Sequence, residues 1–375
     1  GNDFPAYQAV AEAASQCSGG GVTVSVDLNK DHKDRQVASL TANPAEFTSS
    51  LANNSALSAL MNDGLVRPLN NLIAKHASGL QDMQFVTVDG EVMAIAYMAN
   101  AQHLFYRSDI LDAAGVAPPK TYEEVLAAAK TIKDKGLMEY PIAGTYAGWN
   151  LGLEFINMYL GHGGEFFEGG SAKPAVNNSK GVATLNMMKS LTEYMNPDFL
   201  TYDSNAVQAD WEAGKVALTN LWGSRAGPVT DGEGSTPEIE SNTKFTSAPT
   251  VAGGSRPATT LWWDGFTVAT NISDEDAEAT FKAMMNGIST QMALANAEKA
   301  NWLIKGAQPN PAGVGVLASA SGGALPYPML PYFGAMHSAI GAEIVDFLQG
   351  NETAEKALED VEAAYIAAAT EKGFL

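Results

Sequence analysis

Four tryptophans lie where the sequence predicts strand ends or the loops beside them, and each has a polar neighbour within three residues. A flat indole stacks on the apolar C–H face of a sugar ring, while amides, carboxylates and guanidinium groups form hydrogen bonds with the hydroxyls at its edge. This combination predicts a carbohydrate-binding site. The tryptophans are Trp149, Trp222, Trp262 and Trp263, and the polar neighbours are Asn150, Ser224, Arg225 and Asp264.

Core packing is the alternative role for each of these tryptophans, because tryptophan is highly buried on average. We assign Trp211, inside a predicted helix, and Trp302, near a helix end, to packing. Trp262 and Trp263 are adjacent in a predicted strand, so their side chains face opposite sides and at most one of them easily faces a cleft. We include Trp263 among the candidates, although the sequence does not decide between the two.

The motifs of common catalytic sites are missing from the sequence. It contains no Gly-x-Ser-x-Gly, no Walker phosphate loop, no His-Glu-x-x-His and no dinucleotide glycine fingerprint. Its five histidines show no metal-ligand spacing. We therefore expect no catalytic residue, no metal and no cofactor. A carboxylate pair for glycosidic cleavage stays open as an alternative, because the chain has 42 acidic residues and their separation in space does not follow from their spacing in sequence.

Composition narrows the class of protein. A chain of 375 residues is too long for one ordinary core and predicts two domains or a discontinuous pair. The formal net charge of -20 argues against nucleic-acid binding and against an anionic membrane surface, since both carry negative charge. The single cysteine, Cys17, excludes an internal disulfide and a cysteine-based zinc cluster.

Trp222 follows a predicted strand at the centre of the clearest pattern in the chain. Gly214 ends a helix, Val216 to Leu221 form a short apolar strand, and Trp222 then enters a glycine-containing loop. In an open α/β sheet, ligands bind in the crevice outside the strand ends. Trp222 is therefore the first ligand-binding candidate.

Strands and helices alternate along the whole chain, which indicates an α/β protein. The best-marked helix follows a capping box formed by Thr121 and Glu124 and ends at Gly136, and Ser273 with Asp276 caps a second helix. Other predicted helices run through Tyr7 to Ala14, Leu51 to Leu65, Gly152 to Leu160, Leu185 to Leu191, Tyr332 to Leu348 and Thr353 to Thr370, and other predicted strands run through Val22 to Val26, Gly90 to Tyr97, Leu104 to Tyr106, Ile142 to Tyr146 and Leu261 to Ala269, with one near Phe245.

Six fragments stand out in order along the chain: Gly64-Leu-Val-Arg-Pro68-Leu69, Tyr106-Arg-Ser-Asp109-Ile-Leu, Pro119-Lys-Thr121-Tyr-Glu-Glu124, Gly163-Gly164, Trp211-Glu-Ala-Gly214-Lys215-Val-Ala217-Leu218 with Trp222, and Gly350-Asn-Glu-Thr353-Ala-Glu-Lys-Ala357-Leu358. Together they resemble the extracellular solute-binding proteins of ABC importers, the group typified by maltose-binding protein. That group has the phrase aromatic-x-x-Gly-Lys-x-Ala-Met-x-x-x-Gly-x-Trp, and this chain departs from it by having Leu221 where the group has the glycine before the tryptophan.

The resemblance implies an α/β, two-lobed periplasmic-binding-protein fold with three interdomain crossings. Residues 1–105 and 266–312 would form the N-terminal lobe and residues 108–260 and 322–375 the C-terminal lobe, with hinge crossings at 104–107, 260–266 and 312–325. The family begins with a strand before its first helix, whereas Gly1-Asn2-Asp3 resembles the loop after that strand. Asn2 and Asp3 would then lie at the rim of the cleft.

The same resemblance implies six ligand-side positions. His337 stands where the typical member has a stacking tryptophan, which argues against a long maltodextrin, and a surface or capping histidine is the alternative. The six positions are Asp3, Asn100, Trp149, Trp222, Asp264 and His337, and the residue pattern adds Trp263 and Arg225 to the ligand-binding candidates.

The function implied is the binding subunit of an ABC importer, not an enzyme. It would capture a mono- or small oligosaccharide or a glycoside between two lobes, close on it, and deliver it to the transmembrane permease. We expect a monomer, exported to the periplasm or cell exterior, with its signal sequence absent from this numbering. The alternatives are a binding protein for a non-sugar solute such as a polyol phosphate, an osmolyte or an amino-acid conjugate, which Arg225 or Arg256 in the cleft would favour, and a glycoside-processing enzyme.

Overall fold

The chain divides into two compact units. The computed structural model describes residues 1, 3–19, 21–29, 32–308, 310 and 313–375, so the predicted rim residue Asn2 lies outside the described residues, as does Ala312 of the third predicted crossing. Unit 1 comprises Gly1–Asn100, Trp262–Gly313 and Tyr327–Pro331, and unit 2 comprises Ala101–Leu261, Val314–Pro326 and Tyr332–Leu375.

The chain first passes from unit 1 to unit 2 between Asn100 and Ala101 and returns between Leu261 and Trp262. The segment 104–107, which we predicted as a crossing, lies within a strand of unit 2. A short return to unit 1, Tyr327–Pro331, was not part of the prediction. The use of any of these segments as a hinge stays a prediction.

Unit 1 is a mostly antiparallel sheet flanked by helices. Its strands are ordered β1-β8-β3-β2, with β9 paired to β3. Numbered in chain order over both units, its helices are α1 Pro5–Ser15, α2 His32–Thr41, α3 Asn54–Asn62, α4 Asn70–His76, α11 Asp274–Gly287 and α12 Thr290–Ala295, and its strands are β1 Ser49–Asn53, β2 Phe85–Val88, β3 Glu91–Asn100, most of β8 Thr260–Val268, and β9 Asn301–Trp302.

Apolar side chains cover both faces of this sheet, which explains why β3 reads as a nearly continuous apolar run. Ile95 and Tyr97 of β3 pack on one face with Phe266 of β8 and with helices α1 and α11. Ala94 and Ala96 pack on the other face with α3. The alternation along each strand thus assigns side chains to one of two cores.

Unit 2 has a four-stranded sheet in the order β5-β6-β4-β7, in which β4 runs antiparallel to both neighbours and β5 runs parallel to β6. Helix α7 is buried from Leu151 to Gly161 and packs against α8 and α14. The helices are α5 Ser108–Ala114, α6 Tyr122–Asp134, α7 Trp149–Gly161, α8 Ser179–Thr192, α9 Ser204–Glu212, α10 Pro237–Asn242, α13 Val314–Ser321, α14 Phe333–Glu343, α15 Val345–Gln349 and α16 Ala354–Glu371, and the strands are β4 Gln102–Arg107, β5 Ile142–Ala143, β6 Leu218–Trp222, β7 Thr243–Thr246 and β10 Leu325–Pro326, which pairs with the start of β8.

Both predicted helix caps are confirmed. The Thr121 hydroxyl accepts from the Glu124 N–H at 3.1 Å, and the Glu124 carboxylate accepts from the Thr121 N–H at 3.2 Å. Ser273 accepts from the Asp276 N–H at 3.0 Å at the start of α11. Gly136 has a φ of 67°, as a left-handed helix terminator requires. These signals are local, so the sequence suffices to identify them.

Predictions based on periodicity alone were wrong where pairing between distant strands determines which residues form a strand. Val22 to Val26 is not a strand, since Val22 forms only an isolated bridge with Gly19. Leu51 is not helical, because Ser49–Asn53 pairs with β8 and the helix begins only at Asn54. In β5 the strand stops at Ala143, well before the predicted Tyr146.

Strand β6 also differs from its predicted limits. It begins at Leu218 rather than Val216, and Trp222 is its last residue rather than the first residue of the loop.

The helices differ from the prediction as well. Trp149 is the first residue of helix α7, whereas we predicted that it precedes the helix. Helices α4, α5, α10, α12 and α13 were not predicted, because short helices carry little periodic signal.

Candidate functional site

Asp264 is the central acidic residue of unit 1. It lies in β8, opposite Met98 of β3 and Asn53 of β1, and is only 8% exposed. The hydroxyl of Tyr7, from helix α1, donates to its Oδ1 at 2.5 Å. A charge-assisted hydrogen bond of this kind stabilises a carboxylate that burial would otherwise disfavour.

Tyr7 joins this carboxylate to a cluster of aromatic rings. The ring centres of Phe4 and Tyr7 are 4.1 Å apart, and those of Tyr7 and Tyr97 are 6.2 Å apart in an edge-on arrangement. Burial, followed by the charge of Asp264, raises the pKa of both tyrosines well above the usual value of 10. Both phenols therefore stay neutral and can donate hydrogen bonds.

The pleat of β8 separates the two adjacent tryptophans. Trp262 is buried, and its ring centre lies 4.3 Å from that of Tyr327. Trp263 packs against the apolar cluster on the other face of the sheet, and its backbone N–H donates to Asn54 Oδ1 at 3.0 Å. Since alternate strand residues share a face, Trp262 lies on the same face of the sheet as Asp264 and Trp263 lies on the other. Contact of Trp263 with a ligand stays a prediction.

Asn100 and Asp3 are further candidates in unit 1, and they lie in different kinds of structure. Asn100 ends β3 directly opposite Trp262, so it lies at the same end of the β3–β8 pair. Asp3 is exposed and accepts from Gln8 Nε2 at 2.8 Å. Among the unit 1 candidates, Asn100 and Asp264 are thus positioned by neighbouring strands, whereas Asp3 lies at the entry to α1.

Trp149 and His337 are brought together in unit 2. Their rings stack with centres 4.3 Å apart and planes 20° apart. His337 Nε2 lies 2.8 Å from the carbonyl oxygen of Trp149, so the Nε2–H tautomer donates to it. His337 is 1% exposed. A buried ring in this position supports the indole of Trp149, and direct contact of His337 with a ligand stays a prediction.

A close approach of α7 and α14 makes this stacking possible. A Cβ at Gly152 would lie 2.7 Å from His337 Cδ2 and equally close to the His337 carbonyl oxygen. Any side chain at this position would therefore push α14, and His337 with it, away from Trp149.

We expect G152A to lower the free energy of unfolding by about 1–3 kcal/mol, because overpacking a buried helix contact forces a backbone shift. Thermal unfolding measures this effect. G334A is the matched control, since an added Cβ there meets nothing within 4 Å and alanine favours a helix. Equal melting temperatures for both variants would contradict the close contact.

Trp222 ends β6, and Arg225 lies three residues farther on, in the turn that follows the strand. Trp222 is half-buried and lies opposite Gln102 of β4. Arg225 Nη1 donates to Gln208 of α9 at 2.9 Å. Burial lowers the pKa of Arg225, while the charges of Asp203 and Glu212 counteract this effect. The guanidinium is thus engaged with α9 within its own unit.

Two groups of buried residues were not among the candidates predicted from the sequence. Tyr7 and Tyr97 looked like ordinary members of apolar stripes, and only the fold brings them to Asp264, which is 257 residues from Tyr7. A second group in unit 2 includes Glu154 and Gln102, joined by a 3.0 Å hydrogen bond. Burial raises the pKa of Glu154 to about 7. A glutamate inside an apolar helix was the available signal for the second group.

Features of other protein classes are not observed in the described ranges. Within them, three or more histidine, cysteine, aspartate or glutamate side chains do not gather where they could hold a metal ion. The helices of the described residues also lack the combination of length and apolar character that spanning a bilayer requires.

A family model described as bacterial extracellular solute-binding protein matches residues 4–292. A curated relative, a probable ABC transporter-binding protein of Deinococcus radiodurans, is 30% identical over 146 residues. That match covers 36% of this chain and 34% of the relative, so the chain spans about a third of that protein's length in the alignment.

Solved structures resemble the chain over nearly its whole length. Maltose-bound MalE3 of T. maritima has a TM-score of 0.81 at 19% identity, covering 97% of this chain and 96% of that one. A ribitol complex of an ABC transporter solute-binding protein from Agrobacterium radiobacter K84 has a TM-score of 0.81 at 20% identity, covering 95% and 94%. One from Agrobacterium vitis S4 with bound D-mannitol has a TM-score of 0.77 at 20% identity, covering 94% and 92%. These similarities confirm the predicted two-lobed α/β fold.

Proposed function

The chain belongs to the bacterial extracellular solute-binding protein family, and from this premise we propose that it is the substrate-binding subunit of an ABC importer. In this proposal it captures a neutral sugar or sugar alcohol between its two lobes and delivers it to the transmembrane permease. It acts as a monomer in the periplasm or outside the cell and carries out no chemistry on the ligand.

The observation that carries the proposal is the setting of Asp264, a buried carboxylate held by Tyr7 among aromatic rings. Carboxylates accept hydrogen bonds from hydroxyl groups, and aromatic faces cover the apolar side of a sugar or polyol. The proteins of similar fold described above were solved with maltose, ribitol and D-mannitol bound. A neutral polyhydroxylated ligand fits this chemistry.

An anionic ligand is disfavoured by the same residues. The negative charge of Asp264 would repel a phosphate or carboxylate close to it. Arg225, one of the two arginines that would favour an anion, donates a hydrogen bond to Gln208 of α9. We therefore rank polyol phosphates below neutral sugars and sugar alcohols.

Binding would proceed by closure of the two lobes. A ligand that both lobes contact only in the closed arrangement stabilises that arrangement by its difference in affinity for the two states. Trp149 and Trp222 would contribute from unit 2, and Asp264, Asn100 and Trp262 from unit 1. Contacts of Asp3 and Trp263 with the ligand stay predictions.

A thermal-shift screen tests this function. The screen compares the rise in melting temperature that each compound produces. The neutral set is maltose, ribitol, D-mannitol and D-tagatose, and phosphorylated sugars form the anionic set. We expect a neutral compound to give the largest rise, because a ligand that binds only the folded state stabilises it by mass action. A larger rise with phosphorylated compounds would reverse our ranking, and a new product in the mixture would indicate an enzyme.

We expect D264N to weaken binding of the best neutral compound roughly tenfold to a hundredfold. This corresponds to the loss of about 1.5–3 kcal/mol, which is what a hydrogen bond to a charged group contributes. Asparagine keeps the shape and the oxygen that accepts from Tyr7, so the fold should be retained. Isothermal titration calorimetry measures the change. D231N, in an exposed turn, is the control and should bind as the wild type does.

A further inference from the structure

A buried hydrogen-bond network in unit 2 joins the helix that begins with Trp149 to the strand pair that ends with Trp222. Glu154 Oε1, on α7, accepts from Gln102 Nε2 of β4 at 3.0 Å and from Thr145 Oγ1 at 2.5 Å. Gln102 lies directly opposite Trp222 in the β4–β6 pair. The Glu154–Gln102 bond is thus a short connection between the elements that carry the two tryptophans.

The network continues one turn farther along α7. Asn157 Nδ2 donates to Gln102 Oε1 at 2.7 Å, and Asn157 Oδ1 accepts from Thr260 Oγ1 at 2.7 Å. Both ends of the Gln102 amide are therefore used, which fixes its orientation. Gln102 and Thr260 are the first residues of β4 and β8, next to the places where the chain passes between units.

A small cavity of about 20 Å³ lies beside Glu154. Among the described residues, the Thr219 hydroxyl and the Asn220 amide oxygen, which border it, are buried without a hydrogen-bond partner. This volume can hold one water molecule, and unpaired buried polar atoms are where such waters bind.

The cavity is lined by uncharged groups apart from Glu154 itself. Its other titratable side chains are Tyr122 of α6 and Tyr146. Burial, followed by the charge of Glu154, raises the pKa of both tyrosines, so they stay neutral. The lining from β4, β5, β6 and α8 carries no ionisable side chain. A charge on Glu154 therefore faces no cation across this cavity.

We propose that Glu154 is a positioning residue of the ligand site, whose proton determines how firmly α7, with Trp149, is held against β4 and β6, with Trp222. This inference rests on the proposed function. Protonated Glu154 keeps a carbonyl oxygen that accepts from Gln102 and Thr145, and its O–H donates towards the cavity. Ionised Glu154 keeps these hydrogen bonds, but its buried charge has no cation to pair with, so it draws water into the cavity and loosens the packing of α7 against β4 and β6.

The proton is exchanged near neutral pH, since burial raises the pKa of Glu154 to about 7. Ligand binding should therefore be tighter at pH 6 than at pH 8. The alignment of the two tryptophans, not a direct contact of Glu154 with the ligand, is what changes.

The first test follows intrinsic tryptophan fluorescence of the ligand-free protein from pH 5.5 to 8.5. We expect a transition with a midpoint near pH 7 in the wild type, its loss in E154Q, and a much smaller amplitude in W149F. T145V should move the midpoint to higher pH, because the Thr145 hydroxyl stabilises the carboxylate. H337Q should keep the transition. A transition that persists in E154Q, is unmoved in T145V, or disappears in H337Q would overturn the proposal.

The second test measures binding of maltose, ribitol and D-mannitol by calorimetry at pH 6 and pH 8. For any compound that binds, the wild type should bind about fivefold or more weakly at pH 8, a typical coupling between two sites, and E154Q should bind equally at both. Equal affinity of the wild type at both values would overturn the role of Glu154 while leaving the function intact. Failure of all three compounds to bind would count against the function, and the fluorescence titration would still decide the role of Glu154.

Discussion

The W222A variant is expected to lose most of the ligand-induced rise in melting temperature and to bind its best neutral ligand roughly thirtyfold more weakly. Removing the indole deletes an apolar surface that covers one face of the ligand, and burying such a side chain contributes about 2 kcal/mol. Trp222 is half-buried at the end of β6, so its truncation leaves the core of unit 2 intact. Calorimetry and thermal shift measure the two effects.

Two further substitutions separate a ligand contact from a loss of stability. W222F keeps an aromatic face and should restore most of the affinity. W211F changes a fully buried tryptophan whose Nε1–H donates to Thr243 within unit 2, so it should lower the melting temperature of the ligand-free protein and leave the ligand-induced rise unchanged. If W222A binds as tightly as the wild type, Trp222 is not a ligand contact.

The second large effect is a dependence of stability on pH that E154Q removes. The glutamate side chain has an ordinary pKa of 4.5, and burial raises that of Glu154 to about 7 in the folded protein. Between these values the folded state binds more protons than the unfolded state, so the free energy of unfolding falls as pH rises and levels off above pH 7. Below pH 4.5 the proton on Glu154 makes its full contribution to the free energy of unfolding.

Across this window the stability of E154Q relative to the wild type should rise by about 3 kcal/mol, since each pKa unit corresponds to about 1.4 kcal/mol. Urea unfolding at pH 4.5, 6, 7 and 8 measures the difference. E233Q, in an exposed loop, is the control and should follow the wild-type profile. Parallel profiles for E154Q and the wild type would show that Glu154 does not hold its proton through this range.

Local signals were the most reliable guide to the fold. The cap formed by Thr121 and Glu124, the terminator Gly136 and the start of α11 at Ser273 were all predicted and observed. Each of them depends on residues within a few positions of one another. The predicted strand at Val22 to Val26 was wrong because no distant strand among the described residues pairs with it. The predicted helical position of Leu51 was wrong because Leu51 pairs with β8.

For the candidate site, too, local features could be predicted and contacts between distant segments could not. Trp149, Trp222 and Asp264 could be selected from the sequence, because residue type and position near strand ends already point to a sugar-binding role. The partners of these residues could not be selected, since Tyr7 reaches Asp264, and His337 reaches Trp149, only through contacts between segments far apart in the chain.

The sequence by itself determined the α/β class, the helix caps, the family and a short set of polar and aromatic candidates, because these follow from residue type, local spacing and ordered motifs. Tertiary structure decided which of Trp262 and Trp263 accompanies Asp264, gave His337 a buried place behind Trp149, and joined Glu154 to Gln102. The physical reason is that burial and hydrogen bonding of a side chain depend on what lies across from it, and the pleat and the helix packing settle that only once the chain has folded.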